Sequence, residues 1–128
     1  MGMKILLVDD SSIIRGIMKK TLALTGIEID SIKEACDGQQ ALESVTSNPT
    51  DLIFLDINMP VMNGVEFMRE LRNNEATKQI PVVVVSTEGS DERIKQMESL
   101  QIHRFIRKPF TPERIAEILN DVAGGQHE

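Results

Sequence analysis

Short apolar runs alternate along the chain with segments in which apolar residues recur every three to four positions. Ile5–Val8 reads as a strand, and Ser12–Leu24 follows with Ile14, Met18 and Leu22 at i, i+4 and i+8, which predicts a helix. The beat repeats with a weaker strand near Ser31–Ala35 and a helix over Gln39–Ser47 carrying Leu42 and Val45. A strand at Leu52–Leu55 and a helix over Val65–Arg72, with Val65, Met68 and Leu71 along one side, come next. Val82–Val85 is four valines in succession, the pattern of a central parallel strand that is apolar on both faces. A helix over Asp91–Leu100 leads to the short apolar pair Phe105–Ile106, whose flanking Arg104 and Arg107 suit an edge strand. In the last helix Thr111 stands as N-cap and Pro112 at the first helical position, and Ile115, Ile118, Leu119 and Val122 form an apolar stripe. Gly124 and Gly125 are expected to end it.

Five βα units within residues 3–123 predict one α/β domain, with 124–128 left as a tail. The sheet should be open and mainly parallel with helices on both faces, because each right-handed crossover must return over it. Composition agrees: 128 residues with 41% apolar and 27% charged positions are those of one soluble globular unit. A net charge of −6 argues against non-specific binding to nucleic acid or to an anionic membrane. The longest apolar runs fall far short of the roughly 20 residues that span a bilayer, and the first residues lack the apolar core of a signal peptide. A cytoplasmic location is therefore expected. A single cysteine, Cys36, cannot close an internal disulfide. With neither Trp nor Tyr in the chain, stacking on bases or flavins is poorly provided for.

In open α/β sheets the chemistry lies at the carboxyl ends of the strands. The first apolar run ends in Asp9–Asp10 and the third in Asp56, so three carboxylates share one crevice. The fourth run ends in Ser86–Thr87 and the fifth in Lys108–Pro109, which adds a hydroxyl and an ammonium. Clustered carboxylates raise one another's pKa unless a cation neutralises them, so a divalent cation is implied. All-oxygen ligands favour Mg²⁺, Mn²⁺ or Ca²⁺ over zinc, and a site with few protein ligands is typical of Mg²⁺.

At this point the chain resembles the receiver domains of two-component response regulators, and among them the stand-alone, CheY-like chemotaxis type. The resemblance runs through Val8-Asp9-Asp10-Ser11-Ser12, Leu55 to Gly64, Val85-Ser86-Thr87-Glu88 and Phe105 to Phe110, and so covers essentially the whole chain. It implies a flavodoxin-like sheet of order 2-1-3-4-5. It also implies that Asp56 is the phosphoacceptor, taking a phosphoryl group from a sensor histidine kinase or phosphotransfer protein. Asp10 and Asp56 would ligate Mg²⁺ directly with the backbone carbonyl of Asn58, and Asp9 largely through a metal-bound water. Lys108 would pair with Asp56 or the phosphoryl oxygens, and Ser86 would hydrogen-bond the phosphoryl group. The family's switch couples that hydroxyl to an aromatic residue, here Phe105, where the chemotaxis type carries a tyrosine. Thr87 belongs to the matched strand end, Asn58 and Glu88 fall at positions that tune autodephosphorylation, and the bond before Pro109 is expected to be cis. In Leu100–Arg104 the chain has Gln101, Ile102 and His103 where many receivers place a small-residue turn.

The function implied is a signalling phosphoacceptor, monomeric or weakly dimeric, that catalyses only its own phosphotransfer and autodephosphorylation. Partners would dock on the face of the fourth helix, fifth strand and fifth helix, where Arg93, Lys95, Arg104 and Arg107 add basic charge; the flagellar switch is one candidate. A phosphorelay shuttle, or a receiver belonging to a larger regulator, would read much the same. An aspartyl-phosphate phosphohydrolase fits less well. Such enzymes place an acid/base carboxylate two residues after the nucleophile, and here that position is Asn58. An FMN carrier fits worse, since Asp9–Asp10 would repel the phosphate.

Overall fold

In the computed structural model, which describes residues 2–87 and 89–125, the βα alternation closes into a parallel sheet. The elements are β1 (Met3–Val8), α1 (Ser12–Leu24), β2 (Ile29–Ala35), α2 (Gly38–Ser47), β3 (Leu52–Leu55), α3 (Gly64–Arg72), β4 (Val82–Ser86), α4 (Asp91–Ser99), β5 (Arg104–Arg107) and α5 (Pro112–Gly125). The five strands are ordered β2-β1-β3-β4-β5, all pairs parallel. No helix among the described residues is long and apolar enough to cross a membrane.

Side-chain alternation along the strands divides the core into two clusters. Leu6, Val8, Ile53, Leu55, Val82 and Val84 face α2, α3 and α4, where Phe67, Met68, Leu71 and Met97 are fully buried. Ile5, Leu7, Phe54, Val83, Val85 and Ile106 face α1 and α5, against Met18, Leu22, Ile115, Ile118 and Leu119. The four valines therefore feed both clusters alternately, as a central strand covered on two sides must.

Helix starts follow local chemistry. Ser11, Asp37 and Ser90 each accept a hydrogen bond from a first-turn backbone N–H of α1, α2 and α4. Asn63 accepts from Glu66 N–H at 2.9 Å while Glu66 Oε1 accepts from Asn63 N–H at 3.0 Å, a reciprocal cap of α3. Such a cap contributes about 1 kcal/mol. Thr111 Oγ1 accepts from Arg114 N–H at 3.2 Å, as its position before Pro112 predicts. At the other end the expectation fails: α5 runs on through Gly124 and Gly125. Buried Val122 anchors its last turn, and nothing in a glycine pair forbids helical backbone.

The turn into β5 also departs from a small-residue pattern. Gln101 takes up the left-handed conformation, φ 62°, that glycine adopts without cost. Its carbonyl and that of Leu100 accept from Arg72, and His103 N–H donates to Val82 O at 2.7 Å, so three contacts hold the turn.

Candidate functional site

The order of the strands reverses direction between β1 and β3, and there the acidic residues meet. Asp9 N–H donates to Ala35 O and Asp56 N–H to Val8 O, which carries the sheet ladder one step past the strands and sets both carboxylates over the same crevice. One carboxylate oxygen from each of Asp9, Asp10 and Asp56 lies within 4.8 Å of the other two. Asp9 and Asp56 are buried, whereas Asp10 is exposed at the rim. Asp9 Oδ1 is held by Ser11 N–H at 2.9 Å, and Asp56 Oδ1 by Ile57 N–H at 2.9 Å.

Lys108 enters from the end of β5, its backbone N–H on Ser86 O at 3.1 Å and its bond to Pro109 cis, as expected. Its Nζ stands 2.9 Å from Asp9 Oδ2 and 3.8 Å from Asp56 Oδ2. The expected pairing with Asp56 is thus the longer of two contacts. Asp9 is the nearer carboxylate, and one ammonium between two carboxylates settles on the closer. Ser86 is buried at the end of β4 and its hydroxyl hydrogen-bonds Asp56, while Thr87 is exposed beside it.

Burial holds the Asp56 carboxyl above its ordinary pKa. Lys108 opposes this, the charge of Asp9 reinforces it, and the bonds from Ile57 N–H and Ser86 are too weak to reverse it. Among the described residues Lys108 is the ammonium within reach of these three carboxylates, while the guanidinium of Arg15 at the same crevice is engaged by Asp9 O and by Glu34, so the carboxylates outnumber the cation that meets them. That donor set, all oxygen and short of positive charge, fits a hard divalent cation.

Some of the framing was not visible as spacing. Gly64 sits where a Cβ would lie 2.6 Å from Asp56 O, and Gly38 where one would lie 2.7 Å from Met62 O. Gly64 N–H donates to Ile57 O and Gly38 N–H to Met62 O, so the loop after Asp56 is pinned at both ends. Between the pins Met62 N–H bonds Pro60 O across Val61, whose φ of 67° is rare for a β-branched residue. Asn58 is exposed in this loop. Phe105 is half-buried against the α2–α4 cluster, on the far side of β4 from Asp56. Glu88 lies outside the described residues.

Of the four basic residues expected on the α4–β5–α5 face, three arginines are engaged. Arg93 bonds Gln96 Oε1, Arg104 pairs with Asp121 at 2.6 Å, and Arg107 donates to Gly89 O at 2.7 Å. Lys95 is exposed on α4.

A doubly wound parallel sheet with an acidic cluster at its switch point, a lysine and a hydroxyl beside it, defines an α/β class with a cation-suited site at its strand ends. The response regulator receiver domain model matches residues 5–120, and the chain belongs to that family. It is 37% identical over 123 residues to chemotaxis protein CheY1 of Helicobacter pylori, covering 95% of this chain and 98% of that one. A CheY homolog of Campylobacter jejuni is also 37% identical, over 95% of this chain and 93% of its own length. The solved structure of chemotaxis protein CheY4 of Vibrio cholerae superposes with a TM-score of 0.83 at 34% identity, covering 95% of this chain and 99% of that chain. The fold is therefore the flavodoxin-like, CheY-like one, and the chain is a response-regulator receiver homologous to chemotaxis CheY proteins.

Proposed function

We propose that Asp56 is the phosphoacceptor of a chemotaxis-type response regulator. A carboxylate oxygen attacks the phosphorus of a phosphohistidine on a sensor kinase or phosphotransfer protein. The O–P bond forms, the N–P bond breaks, and the departing imidazole keeps the electron pair and takes its proton from solvent. The observation that carries this reading is the position of Asp56: buried, at the switch point, between Asp9, Lys108 and Ser86. Transfer through a loose transition state asks for positioning and for positive charge on the equatorial oxygens. Ile57 N–H orients the carboxylate, Lys108 lies within a small movement of an arriving phosphoryl oxygen, and Ser86 supplies a hydroxyl donor.

Asp9, Asp10 and Asp56, with the backbone carbonyl of Asn58, are the residues that would hold Mg²⁺. When bound, the ion offsets carboxylate charge and that of the phosphoryl oxygens. Ser86 and Phe105 form the switch, carrying the modification from the site to the face of α4, β5 and α5. A downstream protein, with the flagellar switch as the expected one, docks there, and the protein works in the cytoplasm as a monomer or weak dimer. Its catalysis is confined to its own phosphotransfer and autodephosphorylation, and the functional unit of residues 3–123 continues with α5 through Gly125.

Intact mass after incubation with acetyl phosphate tests the assignment. A single Mg²⁺-dependent phosphoryl adduct is expected on the wild type and none on Asp56→Ala. Lys108→Ala should fold and yet accumulate little adduct. An adduct that persists in Asp56→Ala would place the acceptor elsewhere.

A further inference from the structure

Arg107 does more than charge an edge strand. In the β4–β5 register it stands opposite Ser86, and alternation puts it on the same side of the sheet as Phe105, toward α4. From there its guanidinium reaches over the loop that leaves β4 and donates from Nη2 to Gly89 O at 2.7 Å. Gly89 is shaped to receive it. A Cβ at that position would lie 2.5 Å from Arg107 Cζ, 2.7 Å from Nη2 and 2.8 Å from Nε, and its nearest neighbours are all atoms of this one side chain. The backbone at Gly89 lies outside the left-handed region, so what a side chain here would meet is the guanidinium and not backbone strain.

This contact closes a short ring. It joins Gly89, three positions after Ser86 in sequence, to Arg107, whose neighbour Lys108 returns through its N–H to Ser86 O at 3.1 Å. Two of the ring's members, Ser86 and Lys108, are the groups from β4 and β5 that meet Asp56. The acidic residues themselves come from the ends of β1 and β3 and lie outside it.

We infer that Arg107 is a positioning residue for phosphoryl transfer: by holding Gly89 it fixes Ser86 and Lys108 relative to each other, ready for the phosphoryl oxygens. This rests on the reading of Asp56 as phosphoacceptor. Preorganised donors help a reaction because their placement need not be found anew at each turnover. Loosening the ring should therefore slow the reaction while leaving the metal-binding carboxylates as they were.

The test is the rate of Mg²⁺-dependent adduct formation from acetyl phosphate in wild type, Arg107→Ala, Arg107→Lys, Gly89→Ala and the double variant Arg107→Ala/Gly89→Ala. Mg²⁺ affinity of each is taken by calorimetry. Gly89→Ala is the informative change, since its methyl meets only the far end of a flexible side chain and should displace the guanidinium without straining the backbone. Either single change to alanine should slow the rate by about threefold to tenfold, the effect of one positioning contact. The double variant should be no slower than the singles, because both remove the same contact. Arg107→Lys should recover part of the rate, and Mg²⁺ affinity should be unchanged throughout. Rates equal to wild type, effects that multiply in the double variant, or a parallel loss of Mg²⁺ affinity would each overturn the inference. A wild type that gives no adduct would instead overturn the phosphoacceptor reading, and this role with it.

Discussion

Arg72 and Lys108 are drawn in at opposite ends of the sheet, and their surroundings are opposite. At the amino ends of β4 and β5, Arg72 reaches in from the last turn of α3 and donates to Lys78 O, Ile80 O, Leu100 O and Gln101 O at 2.9–3.0 Å. Burial pulls its pKa below the ordinary value, yet a guanidinium stays charged, and every partner is a neutral carbonyl, those of Ile80 and Leu100 being partly buried. At the carboxyl ends Lys108 faces two buried carboxylates with a third at the rim. One end is balanced and ties three segments together; the other holds surplus negative charge. The first arrangement serves the fold, and the second keeps a site under tension that a ligand can relieve.

Breaking the balanced end should have the largest effect. Arg72→Ala leaves Ile80 O and Leu100 O without their donor and releases the turn at Gln101. A loss of about 2–4 kcal/mol is expected, as for a half-buried charged group with several hydrogen bonds. Urea unfolding measures it. The same variant should still bind Mg²⁺ with wild-type affinity, since the ends are separated by the length of a strand, beyond the range at which sites usually couple. A variant that lost stability and Mg²⁺ affinity together would show that the two ends are not independent.

Filling the other end comes next. An ion that binds only the folded chain stabilises it by about 2.7 kcal/mol at a hundredfold excess over its Kd. Thermal unfolding with and without Mg²⁺ should therefore show a clear rise in Tm for wild type and for Arg72→Ala. An unchanged Tm at saturating Mg²⁺ would remove the metal from the account.

The two ends also differed in how far they were legible. Strand ends announce themselves: Asp9, Asp10, Asp56, Ser86 and Lys108 each follow an apolar run, and the parallel fold gathers such ends on one side. The elements themselves were close, with α1 and β3 placed to the residue and most others within one or two, because apolar runs and helical periodicity are local signals. Arg72 gave no signal. Its partners at Leu100 and Gln101 lie 28 and 29 residues away, and carbonyls carry no sequence mark. Val61 and Gln101 likewise hold left-handed backbone without the glycine that would advertise it. The preference of Lys108 for Asp9 over Asp56 depends on a contact across 99 residues, a matter of ångströms that no motif encodes.

The smallest expected effect isolates the tension itself. Asp56 keeps its carboxyl above the ordinary value of 3.8 in the folded chain, so the folded state holds that proton to higher pH than the unfolded one. Below the unfolded value both states are protonated and the residue contributes no penalty. As pH rises through the window between the unfolded and folded values, the unfolded chain releases its proton first and stability falls, levelling off once the folded chain has released its own. Asp56→Asn has no such window. Without Mg²⁺ it should therefore be more stable than wild type at neutral pH by about 1 kcal/mol, the scale commonly gained by relieving unfavourable charge. The advantage should shrink toward zero as pH is lowered well below 3.8, where the wild-type carboxyl is protonated in both states. Saturating Mg²⁺ should also shrink it from the other side, by offsetting the charge that the substitution removes. An Asp56→Asn protein no more stable than wild type at neutral pH would mean that Lys108 already offsets the cost of burying the carboxylate. The contrast with Arg72 would then lie in geometry alone.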